Sequence, residues 1–461
     1  MSHKPLVRPV RRVHFVGIGG SGMSGIAEVL LTLGYRVSGS DLKRTPVTER
    51  LERLGARIRY GHRESNIGDA EVVVFSSAVD PHNPEIVRAR RDGVPVIPRI
   101  EMLAEIARLK RTVSICGTHG KTTTTSLMGL VLETCGYDPT IVVGGTFRNM
   151  GSGARTGTGE YIVVESDESD GSFLKLSPAI AICTNIDNDH VDHYGSFERL
   201  CDAFVEHLNA VPFYGYNMVC GDDPGVRGIL PRLRRRVHTY GTAGCNEFTA
   251  RDIRFSYHGV RYTAWHRRRK IGAVSLRASG IHNVRNSLAV LACAYLAGLS
   301  WRTVRRALAA YQGVGRRLEF KGTIPVRRGT VEVYDDYGHH PTEIRATLEA
   351  LRTKTRKRPV VVFQPHRFTR TRALWREFAG AFDLRDRVRL LPLYPAGERP
   401  IPGVSERLIL NELRRRGGDV RMYDEHELVD SLRPGEVLLT LGAGSVSSLS
   451  DHLVKAYGIP G

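Results

Sequence analysis

Short apolar runs alternate with amphipathic stretches along this chain, and glycine turns separate them. Residues 13–16 predict a strand, residues 17–22 a glycine turn, and residues 23–33 an amphipathic helix that stops at Gly34. Strands follow at 36–40, 72–75 and 95–97, with helical stretches between them. A second block repeats the pattern: a strand at 113–116, apolar helical spacing through 127–132, strands at 161–165 and 179–184, and a helix near 197–208. Short strands and turns fill 246–280, and helices at 283–297 and 301–311 close the block. The third block places strands at 331–334, 359–363, 388–391 and 437–441 between helices at 341–351, 373–382 and 445–457. Strand–helix alternation of this kind predicts parallel sheets covered by helices, an α/β protein. The blocks divide the chain at residues 1–105, 106–318 and 319–461.

Composition narrows the picture. A length of 461 residues fits two to four domains. No apolar run reaches the roughly 18 residues of a membrane helix, and residues 1–12 lack the apolar centre of a signal peptide. A cytoplasmic protein without a membrane partner is expected. The seven cysteines stand singly, with no CxxC pair, which argues against a disulfide framework. The net charge of +19 raises the question of nucleic acid. Basic clusters at 232–236, 267–270, 354–358 and 414–416 lack interleaved aromatic residues apart from Trp265. A solvated, arginine-rich surface that attracts small anionic substrates is the better reading, with no nucleic-acid partner.

The candidate chemistry sits at the ends of predicted strands. Gly117-Thr118-His119-Gly120-Lys121-Thr122-Thr123-Thr124 joins a strand to a helix. Helix N-terminal amides and glycines admit phosphate, Lys121 can reach the terminal phosphates, and Thr122 can ligate Mg²⁺. The fuller motif has a further glycine where Ile115 stands. This loop predicts nucleoside triphosphate binding, and its backbone is expected not to depend on the Lys121 side chain. Gly17-x-Gly19-Gly20-Ser21-Gly22, with Asp41 nineteen residues after Gly22, fits a turn that holds the pyrophosphate of NAD or of any nucleotide diphosphate.

Four carboxylates lie within residues 165–170, beginning at Glu165, and repel one another unless solvated or holding a cation. Residues 184–194 place further acids and histidines, His190 among them, at a strand end. In the third block, residues 334–341 and 364–372 do the same. Arg367 and Arg370 there suit a carboxylate, which guanidinium groups grip in pairs.

Eight segments in order resemble the Mur ligase family: 17–27, 117–125, 165–174, 184–194, 282–290, 313–320, 335–344 and 363–372. The short phosphate loop is that family's own form. The resemblance covers nearly the whole chain. It implies three domains: a Rossmann-like UDP-binding domain, a central P-loop-type ATPase domain and a C-terminal Rossmann-like domain that binds the amino acid. The implied activity is ATP-dependent joining of L-alanine to UDP-N-acetylmuramate through an acyl phosphate, in peptidoglycan precursor synthesis. By the same resemblance Lys121 neutralises the transferring phosphoryl group, Thr122 and Glu165 hold one Mg²⁺, and His190 holds a second. Asn283 and Asn286 would meet the adenine or ribose of ATP, and Arg317 the γ-phosphate region. Asp336 and His339 would lie near the amine, Arg367 and Arg370 on the alanine carboxylate, Gly17 to Gly22 on the pyrophosphate, and Asp41 near the uridine. Sister ligases carry a carbamylated lysine after the His190 motif; no lysine occurs here between Lys175 and Lys270, so none is expected. The rival readings are a recycling ligase that takes a preformed murein peptide and, from the first block alone, an NAD-linked oxidoreductase.

Overall fold

The computed structural model describes residues 10–76, 79–147 and 152–460. The first apolar run becomes β1 (Arg12–Val16), followed by β2 (Arg36–Asp41), β3 (Arg57–Tyr60), β4 (Val72–Phe75) and β5 (Val96–Pro98). They form a parallel sheet in the order β3-β2-β1-β4-β5. Side chains alternate across a strand. Val13 and Phe15 therefore pack with Ile26 and Leu30 of helix Ser21–Thr32, while Val16 joins Ile86 and Ala89 on the other face. Full burial of each large side chain here contributes roughly 1.5–3 kcal/mol.

The second set is β6 (Arg111–Cys116), β7 (Thr140–Phe147), β8 (Ser152–Arg155), β9 (Tyr161–Glu165), β10 (Ile180–Cys183), β11 (Tyr216–Cys220), β12 (Val237–Gly241) and β13 (Phe248–Ser256). β6 lies between β10 and β9, with helix Lys121–Thr134 after it. The chain leaves β6 where strand order reverses, the point at which open α/β sheets bind ligands. β14 (Gly259–His266) and β15 (Arg269–Leu276) form an antiparallel hairpin, the short strands expected over 246–280.

The third sheet contains β16 (Glu319–Val326), β17 (Gly329–Asp336), β18 (Arg358–Phe363), β19 (Arg387–Leu390), β20 (Asp419–Met422), β21 (Glu436–Leu441) and β22 (Ile459–Pro460). Its order is β20-β19-β18-β21-β17-β16-β22, parallel from β20 to β17 and antiparallel beyond. The helix expected at 373–382 runs instead over Phe368–Ala379, with Leu374 off helical geometry. The helix starts earlier than expected because its first turn, Phe368-Thr369-Arg370-Thr371, carries polar and charged residues in place of an apolar stripe. The last helix is split into a 3₁₀ turn, Ser445–Ser448, and an α-helix, Leu449–Tyr457.

Packing groups the chain into two compact units, Met1–Thr249 with Asn286–Leu308 and Ala250–Arg285 with Ala309–Gly461. The first two sheets share one apolar core, in which Phe15 and Met23 join Val142, Ile162 and Val164. None of the helices among the described residues is long and apolar enough to cross a membrane.

Candidate active site

The phosphate loop fills the gap between β6 and helix Lys121–Thr134. Gly117 and Gly120 both have positive φ, +124° and +82°. A Cβ on Gly117 would collide with the Thr184 hydroxyl, and one on Gly120 would stand 2.9 Å from Asn286 Oδ1. The residues after β10 hold the loop's backbone. Thr184 Oγ1 and Asn185 Nδ2 donate to the His119 carbonyl (2.6 and 2.9 Å), and the His119 N–H donates to Asn185 Oδ1 (2.8 Å). The Asp187 N–H donates to Thr118 Oγ1 at 2.9 Å, and His119 Nε2 lies 3.0 Å from Asp187 Oδ2. Thr123 is buried in the first helical turn.

Lys121 folds back over this loop. Its Nζ donates to the carbonyls of Gly117 (2.8 Å) and Thr118 (3.3 Å) and to Glu168 Oε2 (2.7 Å). The loop's backbone therefore does meet the Lys121 side chain, a correction to the expectation of independence. Burial disfavours the Lys121 ammonium, but the charges of Glu168 and Asp167 outweigh it and raise its pKa. Burial pushes the Glu168 carboxyl up to about 7 against the pull of Lys121. Thr122 Oγ1 donates to Glu165 Oε1 at 2.9 Å, so the hydroxyl and carboxylate expected to share a metal already converge. His190, in the left-handed region at φ +58°, places Nε2 3.6 Å from Glu168 Oε1 and 3.7 Å from Asp189 Oδ2. Lys121, Thr122, Glu165, Glu168 and His190 thus form one cluster, with Asn286 beside the loop.

The expected diphosphate turn lies at the end of β1. The amides of Gly17 and Ile18 donate to the Ser40 carbonyl, and that of Gly19 donates to Asp41 Oδ2 (2.8 Å). Asp41 Oδ1 also accepts from the Leu42 N–H (2.8 Å), so this carboxylate braces the turn. Gly20 precedes helix Ser21–Thr32, and the Ser21 side chain lies outside the described set. A Cβ on Gly22 would strike the Arg99 guanidinium, which covers the start of that helix.

In the second unit, Asp336 at the end of β17 is buried, and burial raises its carboxyl. Its oxygens accept from Leu318 N (2.7 Å), Gly338 N (2.8 Å) and Thr347 Oγ1 (3.1 Å), which fixes the turn carrying His339. Glu343 links Arg317 Nη1 (3.5 Å) with the His339 N–H (3.0 Å). Asn283 Nδ2 donates to the Ser279 carbonyl at 2.7 Å. After β18, His366 stacks on Tyr394 with centroids 5.5 Å apart, and its ring lies 5.9 Å from that of His339. Burial and the charges of Arg370 and Arg367 push His366 down to about 4. Arg367 adopts φ +70° at the start of helix Phe368–Ala379.

Family models match the chain in order: "Mur ligase family, catalytic domain" over residues 12–111, "Mur ligase middle domain" over 115–294, and "Mur ligase, glutamate ligase domain" over 316–444. The chain belongs to the Mur ligase family. The UDP-N-acetylmuramate–L-alanine ligase of Endomicrobium trichonymphae is 50% identical over 446 residues, covering 96% of this chain and 98% of that one. The protein of that name from Geotalea daltonii is 47% identical, covering 97% and 98%. The crystal structure of the UDP-N-acetylmuramate–alanine ligase from Thermotoga maritima matches with a TM-score of 0.80 at 29% identity, covering 96% and 98%. A murein peptide ligase from Psychrobacter arcticus shares the fold at TM-score 0.73 and 22% identity, covering 97% and 99%.

Several residues of this Mur ligase site escape a reading of the sequence. Glu168 stands among four acids, and nothing in their spacing says which one meets Lys121. Asn185 and Asp187 read as part of an acidic strand end, and their grip on the phosphate loop comes from the parallel pairing of β10 with β6. Arg99 had no signal: it opens a helix about 77 residues from the glycine it covers.

Proposed function

We propose that this Mur ligase joins L-alanine to the lactyl carboxylate of UDP-N-acetylmuramate, converting ATP to ADP and phosphate in the cytoplasm. The domains of residues 1–105, 106–318 and 319–461 would bind the UDP-sugar, ATP and the amino acid respectively. The observation that carries the reading is the cluster of Lys121, Thr122, Glu165, Glu168 and His190 on a glycine loop at a strand switch point.

A lactyl carboxylate oxygen attacks the γ-phosphorus and ADP leaves, forming an acyl phosphate. Such transfer depends on positioning and charge neutralisation. Lys121 would leave Glu168 for the transferring phosphoryl group, while the loop amides and Asn286 hold the nucleotide. The alanine amine then attacks the acyl carbon, and phosphate departs from the tetrahedral intermediate. Arg367 and Arg370 would grip the alanine carboxylate and aim the amine. His339 and Arg317, tied through Glu343, would face the reacting groups, and Asp336 would hold their turn.

The donors present fit Mg²⁺. Thr122 and Glu165 offer converging oxygens, and Glu168 Oε1 is buried beside His190 without a hydrogen bond. Thr122 and Glu165 would hold one ion and His190 a second, which would offset the negative charge of the phosphates and the carboxylate.

The test is ADP release from ATP with UDP-N-acetylmuramate and either free L-alanine or a murein tripeptide. L-alanine is expected to be the productive amine. Turnover with the tripeptide and none with L-alanine would replace this reading with the recycling ligase.

A further inference from the structure

The first sheet buries an acid that none of these steps uses. Glu85 is fully buried, and five donors converge on its two oxygens. Ser40 Oγ donates to Oε2 at 2.6 Å, and His14 Nε2 lies 2.9 Å from the same oxygen. Asn66 Nδ2 donates to Oε1 at 2.8 Å, with His62 Nδ1 at 3.2 Å and the Arg63 N–H at 3.3 Å. His14 in turn meets Ser38 Oγ at 2.9 Å. Burial works against the carboxylate, yet the bonds from His14, Ser40 and Asn66 prevail and hold it at about 2.

A network like this is a poor way to gain stability. Apolar residues of similar volume often stabilise a core as well or better than a buried ion pair. What a fully bonded polar network adds is fixed geometry. The geometry fixed here is the end of β2. The Ser40 carbonyl accepts the amides of Gly17 (2.9 Å) and Ile18 (3.0 Å), and Asp41 accepts that of Gly19 (2.8 Å). Three consecutive amides of the glycine turn hang on two residues, and Glu85 clamps the side chain of one of them from the opposite face of the sheet. Helix Ser21–Thr32 starts at once after this turn.

We infer that Glu85, acting through Ser40, is a positioning residue for the sugar-nucleotide diphosphate, because it sets the height of the glycine turn on which that diphosphate rests. This rests on the reading of the turn as the diphosphate site.

The experiment compares Glu85→Gln, Ser40→Ala and their double variant in steady-state ligation with UDP-N-acetylmuramate, ATP and L-alanine, and adds Gly19→Ala as a direct displacement of the turn. A Cβ on Gly19 would stand 2.8 Å from Asp41 Oδ2 and 3.0 Å from Thr48 Cγ2. Loss of one charged hydrogen bond in the chain of support is expected to raise the KM for UDP-N-acetylmuramate about tenfold in each network variant. The KM values for ATP and L-alanine are expected to stay unchanged, and the double variant to be no worse than Glu85→Gln alone, since both cut the same link. Should Glu85→Gln fail to fold, Ser40→Ala, which leaves the carbonyl in place, still reads the link. If the network variants lower kcat in proportion to the folded fraction with every KM unchanged, Glu85 is structural and the inference falls. Multiplying effects in the double variant would also overturn action through Ser40. If Gly19→Ala itself leaves the KM for UDP-N-acetylmuramate unchanged, the diphosphate lies elsewhere and the underlying reading falls instead.

Discussion

Lys121→Met separates the chemical role of the phosphate-loop lysine from its structural one. Lys121 Nζ lies 2.7 Å from Glu168 Oε2, and Glu168 is fully buried. Removing the ammonium leaves Glu168 with His190 Nε2 at 3.6 Å, a ring that offsets its charge only when protonated. Breaking a buried pair from one side costs about 3–5 kcal/mol when the remaining charge must stay ionised. Glu168 can avoid much of that cost, because burial has already pushed it up to about 7. Its folded pKa lies above the unfolded value, so its contribution to stability falls as pH rises through the carboxylate range and levels off above about 7. Without Lys121 the folded pKa rises further and the fall continues to higher pH. The stability difference between wild type and Lys121→Met is thus expected to grow by about 2 kcal/mol between roughly pH 6 and pH 9. Adding Glu168→Gln removes the charge and recovers most of that growth, while ligation stays abolished in both variants. Urea unfolding across this pH range, without nucleotide or metal, reads the first effect, and ADP release reads the second. A pH-independent difference would refute the buried-pair argument, and near-normal ligation by folded Lys121→Met would refute the phosphoryl role.

Glu165→Ala and His190→Ala are each expected to cut activity severely and to weaken its Mg²⁺ dependence; an unchanged Mg²⁺ titration in both would move the metal to Asp167 or Glu168. Arg367→Ala and Arg370→Ala each remove a charged hydrogen bond of about 1.5–3 kcal/mol, so the KM for L-alanine should rise by about tenfold or more with little change for ATP. L-alaninamide should be a poor substrate for the wild type and less disfavoured in those variants. A rise confined to the KM for ATP or the UDP-sugar would mean that these arginines serve a phosphate.

What the sequence made legible follows from local rules. Strand, glycine loop and helix around Gly117–Thr124 read correctly because each is decided within a few residues, and the sheet order then puts that loop at a switch point. Val72–Phe75 and Tyr161–Glu165 were readable to the residue, since buried parallel strands are continuous apolar runs. Helix Phe368–Ala379 was misplaced because its first turn, Phe368-Thr369-Arg370-Thr371, carries binding-type residues rather than an apolar stripe. The partners of the site were harder still. Glu168 against Lys121, Asn185 against His119 and Glu85 against Ser40 are contacts across 47, 66 and 45 residues, fixed by strand pairing and not by spacing along the chain. Asp41, expected near the uridine, also accepts the amides of Gly19 and Leu42, a bracing role that its spacing from the glycines does not announce.

The central claim is that the lactyl carboxylate is activated by direct phosphorylation. Ligation should therefore be run with UDP-N-acetylmuramate carrying ¹⁸O in that carboxylate, with ATP and L-alanine, and the released phosphate analysed by mass. Attack of a carboxylate oxygen on the γ-phosphorus predicts ADP and a phosphate that carries one oxygen from the label for each bond formed. Unlabelled phosphate, or AMP with the label in its phosphate, would contradict the account.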